Sequence, residues 1–360
     1  MSDPTKSPQL PPPSPPPRPQ GLSHWIRVGP GKLRQQVRNF RVPPFSKILM
    51  KGGMEIIAAG TSPDGHGYFV PRWSLLDHLN VGWVAEKRSA SSKAAIVKNF
   101  ALHKDRIKRG VAEFFGAFPG STWFIVGSGP SLIKNVSLLE RHPQAKILAV
   151  NATLKAMRPG LADFYFTLDW LGGRKWLDGV DTKGVKLVCS VTCPPETLDR
   201  FSEQYHFVGM TQSESSETGI NQEYAWLGQL DSGLTGTYSA MHFAWRCGAK
   251  RIVLVGQDFA CRWGQYHWNE PMTHALAVDR KFRIVPDLDE GVTLTDDHFQ
   301  RNCDLVKGAC MWLEEDGVEV VNATEGGILD WNKKTLAWVY DALAREDAPA
   351  VKNEERVHAH

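Results

Sequence analysis

The stretch Trp123-Phe124-Ile125-Val126-Gly127-Ser128-Gly129-Pro130-Ser131-Leu132 constrains this chain most, because it reads as a buried strand turning through glycine into a helix. Four apolar residues supply the strand. Gly127 and Gly129 permit a tight turn, and Pro130 suits a first helical position, where its missing N–H is no loss. Free N–H groups and the positive end of the helix dipole favour an anion, so Gly127, Ser128, Gly129, Pro130 and Ser131 are candidate nucleotide-binding residues. The full dinucleotide fingerprint is not met. Leu132 stands where its third glycine would fall, and no acid follows the next strand at Val150-Asn151.

Beyond this turn, short apolar segments alternate with helix-like ones. Candidate strands are Ser121–Val126, Lys146–Val150, Phe164–Leu168, Val185–Ser190, Tyr205–Val208, Arg251–Val255 and Glu319–Val321; candidate helices are Pro130–Arg141, Thr235–Cys247 and Asp296–Glu315. The pattern predicts an α/β fold, a doubly wound, Rossmann-like and mostly parallel sheet with helices on both faces, carrying its ligand at the carboxyl ends of the strands. The expected core spans residues 119–332, with a closing helix at 333–346 and a flexible tail at 347–360.

The N-terminal part differs in kind. Residues 1–20 hold nine prolines and read as an extended, disordered tail. Region 21–118 is basic and ends, from Ser91 to Phe118, in apolar residues near helical spacing (Val97, Phe100, Ile107, Val111, Phe114), an expected amphipathic helix. Residues 1–120 carry 18 Lys and Arg against 7 Asp and Glu, and the remainder 24 against 32. A basic helix of this kind can face nucleic acid, an acidic lipid surface or the acidic remainder of its own chain. The last is preferred, because no nucleic-acid-binding motif accompanies the charge. No run approaches the roughly 20 apolar residues of a membrane span, and the polar start lacks a secretory apolar region, so cytoplasmic residence is expected. The six cysteines lack C-x-x-C spacing and read as reduced, mostly buried thiols.

A parallel sheet gathers the residues just past its strands on one rim: Gly127 to Ser131, Asn151, Asp169, Gly256-Gln257-Asp258 and Thr324-Glu325-Gly326-Gly327. Asp169 and Asp258 are candidate catalytic acids that could hold Mg²⁺ beside a phosphate, or orient ribose. Asp231 to Thr237 enters the helix ending near Cys247, so Thr235, Gly236 and Thr237 could bind an anion or cap that helix. The long segment between Asp258 and Thr295, rich in aromatic residues, reads as a cover, and His267 within it is a candidate proton-transfer group. His242 reads as structural.

With these segments placed, the chain resembles the domain shared by archaeal 6-hydroxymethylpterin diphosphokinase-like proteins and bacterial motility accessory factors. The resemblance rests on Gly127-Ser-Gly-Pro-Ser-Leu132, Val150-Asn-Ala-Thr153, Asp163-Phe-Tyr-Phe-Thr-Leu-Asp169, Gly248 to Phe259 and Val321 to Gly327. The glycine turn, the Thr235 helix and the Gly-x-Asp-Phe ending also resemble bacterial sialyltransferases that use CMP-activated sugars. The relatives imply two reactions on one nucleotide-binding frame: transfer of a nonulosonic acid from its CMP conjugate, the first expectation, or Mg²⁺-dependent transfer of diphosphate from ATP. A nucleotide-binding or assembly protein without catalysis is a third reading. The sialyltransferase pattern has Thr-Ser-Gly where this chain has Thr235-Gly236-Thr237, and its catalytic histidine would fall near Val292. His267, His274 or His298 would have to replace it. The expected partner is a small-molecule nucleotide substrate; the acceptor is unassigned, and no specific nucleic-acid binding is expected.

Overall fold

The computed structural model describes residues 47–49, 55–61, 67–71, 94–169, 174–209, 223–231, 235–262, 265–271, 282–289 and 291–347. The proline-rich tail, most of region 21–93 and residues 348–360 lie outside them. Three strands come first, β1 (Lys47–Leu49), β2 (Glu55–Thr61) and β3 (Gly67–Pro71), paired antiparallel in sequence order. Residues 94–103 form helix α1.

The core begins with β4 (Ser121–Val126), all six residues of which are buried, as expected of a parallel strand covered on both faces. After it come β5 (Ala145–Val150), β6 (Phe164–Thr167), β7 (Lys186–Ser190), β8 (Glu203–Gly209), β9 (Gln229–Leu230) and β10 (Ala249–Val255). Two hairpins follow, β11 (Gln265–His267) with β12 (Glu270–Pro271), and β13 (Arg283–Pro286) with β14 (Val292–Thr295). Strand β15 (Glu319–Asn322) completes an eight-stranded parallel sheet in the order β15-β10-β4-β5-β6-β7-β8-β9. The chain starts at β4, runs outward to β9, then returns to the other side of β4. The direction of winding therefore reverses between β4 and β10.

Helices α2 (Leu132–Asn135), α3 (Gly236–Arg246), α4 (Asp297–Glu315) and α5 (Leu336–Asp347) complete the main frame. On one face Trp123, Ile125 and Leu254 pack with Met241 and Phe243 of α3 and Val306 and Leu313 of α4. On the other Phe124, Val126 and Val253 pack with Leu336, Val339 and Leu343 of α5. The period-two alternation along β4 sends successive side chains into opposite cores. The α/β doubly wound architecture is thus as expected, and the strands fall within two residues of their expected bounds.

Two helices differ. The expected helix over 91–118 stops at residue 103; a 3-10 turn (Lys104–Arg106) follows and another occupies Val111–Phe114. Gly110 is the reason: a Cβ there would lie 2.2 Å from the Leu227 carbonyl oxygen, so the chain crosses that backbone extended. The expected helix over 130–141 is reduced to four residues and a 3-10 turn (Val136–Leu138). All six cysteines are buried and free. Among the described residues, no helix is long and apolar enough to cross a membrane.

Candidate functional site

Loops after β10, β4, β5 and β6 lie side by side in that order and carry Gly256-Gln257-Asp258, Gly127 to Ser131, Asn151 and Asp169. Neighbouring strands are about 4.8 Å apart, so Ser128 and Asn151 emerge from adjacent strands and Asp169 from the next one along. Backbone strain concentrates on the same edge. Asn151 (φ 53°), Phe259 (φ 50°) and Glu325 (φ 57°) adopt the left-handed region just past β5, β10 and β15. Such conformations cost on the order of 1–3 kcal/mol each and persist only where the surroundings enforce them.

The glycine turn is wired to the loop after β10. Gly127 N–H donates to Val255 O at 2.8 Å and Gly129 N–H to Gly256 O at 2.9 Å. Ser131 N–H donates to the Asp258 carboxylate at 3.1 and 3.3 Å, and Ser131 Oγ donates to Asp258 Oδ2 at 2.6 Å. The expected row of free amides is therefore corrected. Among the described residues, the Ser128 N–H is the one donor of this turn without a protein acceptor. The glycines serve close packing: a Cβ on Gly127 would lie 2.5 Å from Gln257 Nε2, and one on Gly129 2.1 Å from Asp258 Oδ2. Gln257 and Asp258 thus fill the crevice at the β4/β10 reversal.

Asp258 is 1% exposed. Burial pushes its carboxyl up to about 7, against the hydrogen bonds from Ser131 and the positive charge of Arg262. Arg262 pairs through Nε with Asp287 Oδ2 at 2.7 Å and through Nη2 with Asp289 Oδ2 at 3.1 Å, and Lys134 also reaches Asp289. Gly327 N–H donates to Asp287 Oδ2 at 3.3 Å. Three motifs, at 127–131, 256–259 and 324–327, therefore meet in one buried polar knot beneath the rim. Asp258 anchors that knot, with both oxygens engaged by Ser131. Strands β10 and β6 are three spacings apart, about 14 Å. Asp169 and Asp258 thus follow strands three spacings apart, and no group of three or more His, Cys, Asp or Glu that could hold a metal occurs among the described residues.

The side of the turn facing β5 is arranged differently. Helix α3 starts over the end of β5, where a Cβ on Gly236 would lie 3.0 Å from Val150 Cγ1 and 3.9 Å from Asn151 Nδ2. Thr235 caps α3, accepting from Thr237 N–H at 3.4 Å, while Thr237 Oγ1 donates to Gln257 Oε1 at 2.7 Å. Asn151 Oδ1 is enclosed with no hydrogen-bond partner. A buried amide oxygen left this way is an acceptor awaiting a donor. Above it lies the cover: His267 Nδ1 is 3.1 Å from Ser128 Oγ, Trp268 N–H donates to Ser128 O at 2.9 Å, and Trp268 Nε1 donates to Ala152 O at 3.3 Å. Tyr266 stacks on Phe299 of α4 with ring centroids 5.2 Å apart.

Half-buried Asp169 follows β6, its N–H donating to Thr167 Oγ1 at 3.1 Å. His298 lies exposed in the first turn of α4, its Nε2 3.1 Å from Asn302 Nδ2. His242 accepts from Asp231 N–H at 3.0 Å, and burial lowers its imidazole to about 4. His274 and residues 232–234 lie outside the described residues. Sequence reasoning missed the parts of Gln257, Arg262 and Asp287; Gln257 stood in the Gly-x-Asp-Phe motif, whereas no local signal joined Arg262 to Asp287.

The model of a family described as 6-hydroxymethylpterin diphosphokinase MptE-like matches residues 97–263. This bears out the resemblance over that span, with Val321 to Gly327 beyond it. Among solved structures the chain is similar to that of MAf glycosyltransferase from Magnetospirillum magneticum AMB-1, at 20% identity and a TM-score of 0.46, covering 63% of this chain and 37% of that one. No curated protein matches the chain.

Proposed function

We propose that this chain is a nucleotide-dependent transferase whose donor phosphate rests between Ser128 and the start of α3 at Thr235-Gly236-Thr237, beneath His267, while Asn151 Oδ1 accepts from a hydroxyl or amino group of the nucleoside or sugar. The observation that carries the reading is the partnerless Asn151 Oδ1, an acceptor that a nucleoside or sugar donor would fill, on left-handed backbone at the point where an 11-residue helix begins over the sheet. The positive end of a helix favours a phosphate, and the Ser128 N–H adds a donor. The first reaction is glycosyl transfer from a CMP-activated nonulosonic acid. His267, held at Ser128 Oγ, would exchange the acceptor proton, and half-buried Asp169 would orient the ribose. In this reading Asp258 positions Ser131 and the turn. Diphosphoryl transfer from ATP is the second reading, favoured by the description of the matching family. It would need Mg²⁺ beside the phosphates, with Asp169 as a candidate ligand and Asp258 already hydrogen-bonded to Ser131.

Thermal-shift titration with CMP, CTP and ATP, with and without Mg²⁺, tests the proposal. A ligand at about 100 times its dissociation constant stabilises the fold by ~2.7 kcal/mol. Stabilisation by cytidine nucleotides without Mg²⁺, lost in Asn151→Ala, is the expected result. For His267→Asn, binding should persist while transfer falls by about 10²–10⁴-fold, the range of general acid–base catalysis. An adenine preference requiring Mg²⁺ would favour the second reaction. Binding with no turnover of any acceptor would leave an assembly protein, and no shift with any nucleotide would overturn the proposal.

A further inference from the structure

The cover meets the glycine turn at one residue by two bonds. Trp268 N–H donates to Ser128 O at 2.9 Å, and His267 Nδ1 lies 3.1 Å from Ser128 Oγ. Ser128 itself is pinned, because the N–H groups of Gly127 and Gly129 on either side of it are bonded to Val255 O and Gly256 O. The imidazole is held as well. Tyr266 packs edge-on against it with ring centroids 4.4 Å apart, and Tyr266 stacks in turn on Phe299. Both His267 and Ser128 are half-buried, open enough for a substrate to reach.

A ring fixed this way has different tasks for its two nitrogens. Nδ1 is turned onto Ser128 Oγ, so an acceptor hydroxyl can meet a lone pair of the ring only at Nε2. A neutral imidazole carries one hydrogen, on one nitrogen or the other. Were Ser128 O–H to donate to Nδ1, that hydrogen would sit on Nε2, and Nε2 could take no proton.

We propose that Ser128 is a positioning residue for His267: its Oγ accepts from Nδ1–H and so keeps the lone pair on Nε2, where the acceptor proton is taken. The inference rests on the transferase reading above and adds how its base is prepared. The bond made by one imidazole nitrogen sets the protonation of the other. A hydroxyl has two lone pairs and one hydrogen, so Ser128 Oγ can accept from Nδ1 while its own O–H donates to the donor phosphate beside the Ser128 N–H. In the transfer step the acceptor proton passes to Nε2 as the acceptor oxygen bonds the anomeric carbon. The bond from that carbon to the phosphate oxygen breaks, and its electron pair leaves with CMP. The imidazolium then carries a hydrogen on each nitrogen, still donates to Ser128, and returns the new proton to solvent.

Nitrogen NMR of the full chain labelled at histidine reads the tautomer directly, near pH 8, where an ordinary imidazole is neutral. The His267 signals are those lost in His267→Asn. In the wild-type chain Nδ1 should carry the hydrogen. In Ser128→Ala it should move to Nε2, the form favoured in water, and turnover of a CMP-activated nonulosonic acid should fall about 10²-fold, the cost of a misplaced group. Ser128→Thr returns a hydroxyl and should restore both the Nδ1–H signal and most of the turnover. Alanine leaves the backbone bonds of residue 128 in place, so an unchanged melting temperature would show that the variant folds, and the wild-type spectrum decides the tautomer even where it does not. A hydrogen on Nε2 in the wild-type chain, or a tautomer that Ser128→Ala leaves unchanged, would overturn the proposal. The spectra need no nucleotide. A chain with Nδ1–H that binds none of the nucleotides loses the transferase reading and keeps the pairing of Ser128 with His267, whereas nucleotide binding with Nε2–H does the reverse.

Discussion

At the scale of single residues, the glycine turn shows how a motif can serve packing before chemistry. Gly129 has an ordinary backbone conformation; what demands glycine is Asp258, whose Oδ2 would lie 2.1 Å from an added Cβ, with Gly256 O at 2.7 Å. One of these neighbours is backbone, and the other is locked by two donors from Ser131. Gly129→Ala should therefore destabilise the fold by about 3 kcal/mol, the upper range for overpacking, measured by urea denaturation. A cost below ~0.5 kcal/mol would show that the knot is loose. Arg262 makes the complementary case, because Asp287, its partner at 2.7 Å, has a side chain 0% exposed. Removing one member of a buried pair leaves an uncompensated charge, so Arg262→Ala should cost about 3–5 kcal/mol by the same measurement. A loss under ~1 kcal/mol would mean that water already reaches the pair.

At the scale of elements, α4 offers the opposite test. Gly308 lies exposed within this 19-residue helix, with nothing within 4 Å of an added Cβ. Gly308→Ala should raise stability by about 0.5–1 kcal/mol, through helix propensity and a less flexible unfolded chain; an unchanged denaturation midpoint would refute this. The strands were legible because parallel strands buried on both faces read as continuous apolar runs, as in Trp123 to Val126. So were the helices at Thr235 and Asp296, whose side chains accept the first-turn N–H groups of Thr237 and Phe299. Elements set by distant contacts were not legible. Ile107, Val111 and Phe114 keep helical spacing, yet Gly110 must cross the Leu227 backbone, so tertiary packing overrides the periodicity. The two-residue strand β9 and the hairpins β11/β12 and β13/β14 are too short for a pattern to declare itself. The rim residues could be named from strand ends alone, but which of them turn inward depends on partners over 120 positions away, as Ser131 and Asp258 show.

At the scale of the whole molecule, buried imidazoles tie stability to pH. His206 on β8 is 0% exposed and stacks against His103 at the end of α1, with ring centroids 6.0 Å apart. Burial lowers His206 from 6.5 to about 4, helped by its likeness in charge to His103, and burial lowers His242 to about 4 as well. The unfolded chain takes up protons at both sites below pH 6.5, whereas the folded chain resists until about 4. The histidines' contribution to stability is therefore full above 6.5 and falls as pH drops through that window. Asp258 acts in the opposite sense, since its folded value of about 7 lies above the usual 3.8 and the folded state holds a proton there that the unfolded state has lost. Two histidines outweigh one acid, so the net slope between pH 6.5 and 4 follows the histidines. A drop of about 2.5 pKa units is worth roughly 3 kcal/mol. His206→Leu keeps an apolar group against α1 and removes that titration. Urea denaturation from pH 7 to 4 should thus show the wild-type chain losing up to about 3 kcal/mol more than the variant, with the difference confined below pH 6.5. Parallel pH profiles would mean that the His206 ring is already hydrated in the folded state, and that the contact between α1 and β8 yields to water before the sheet does.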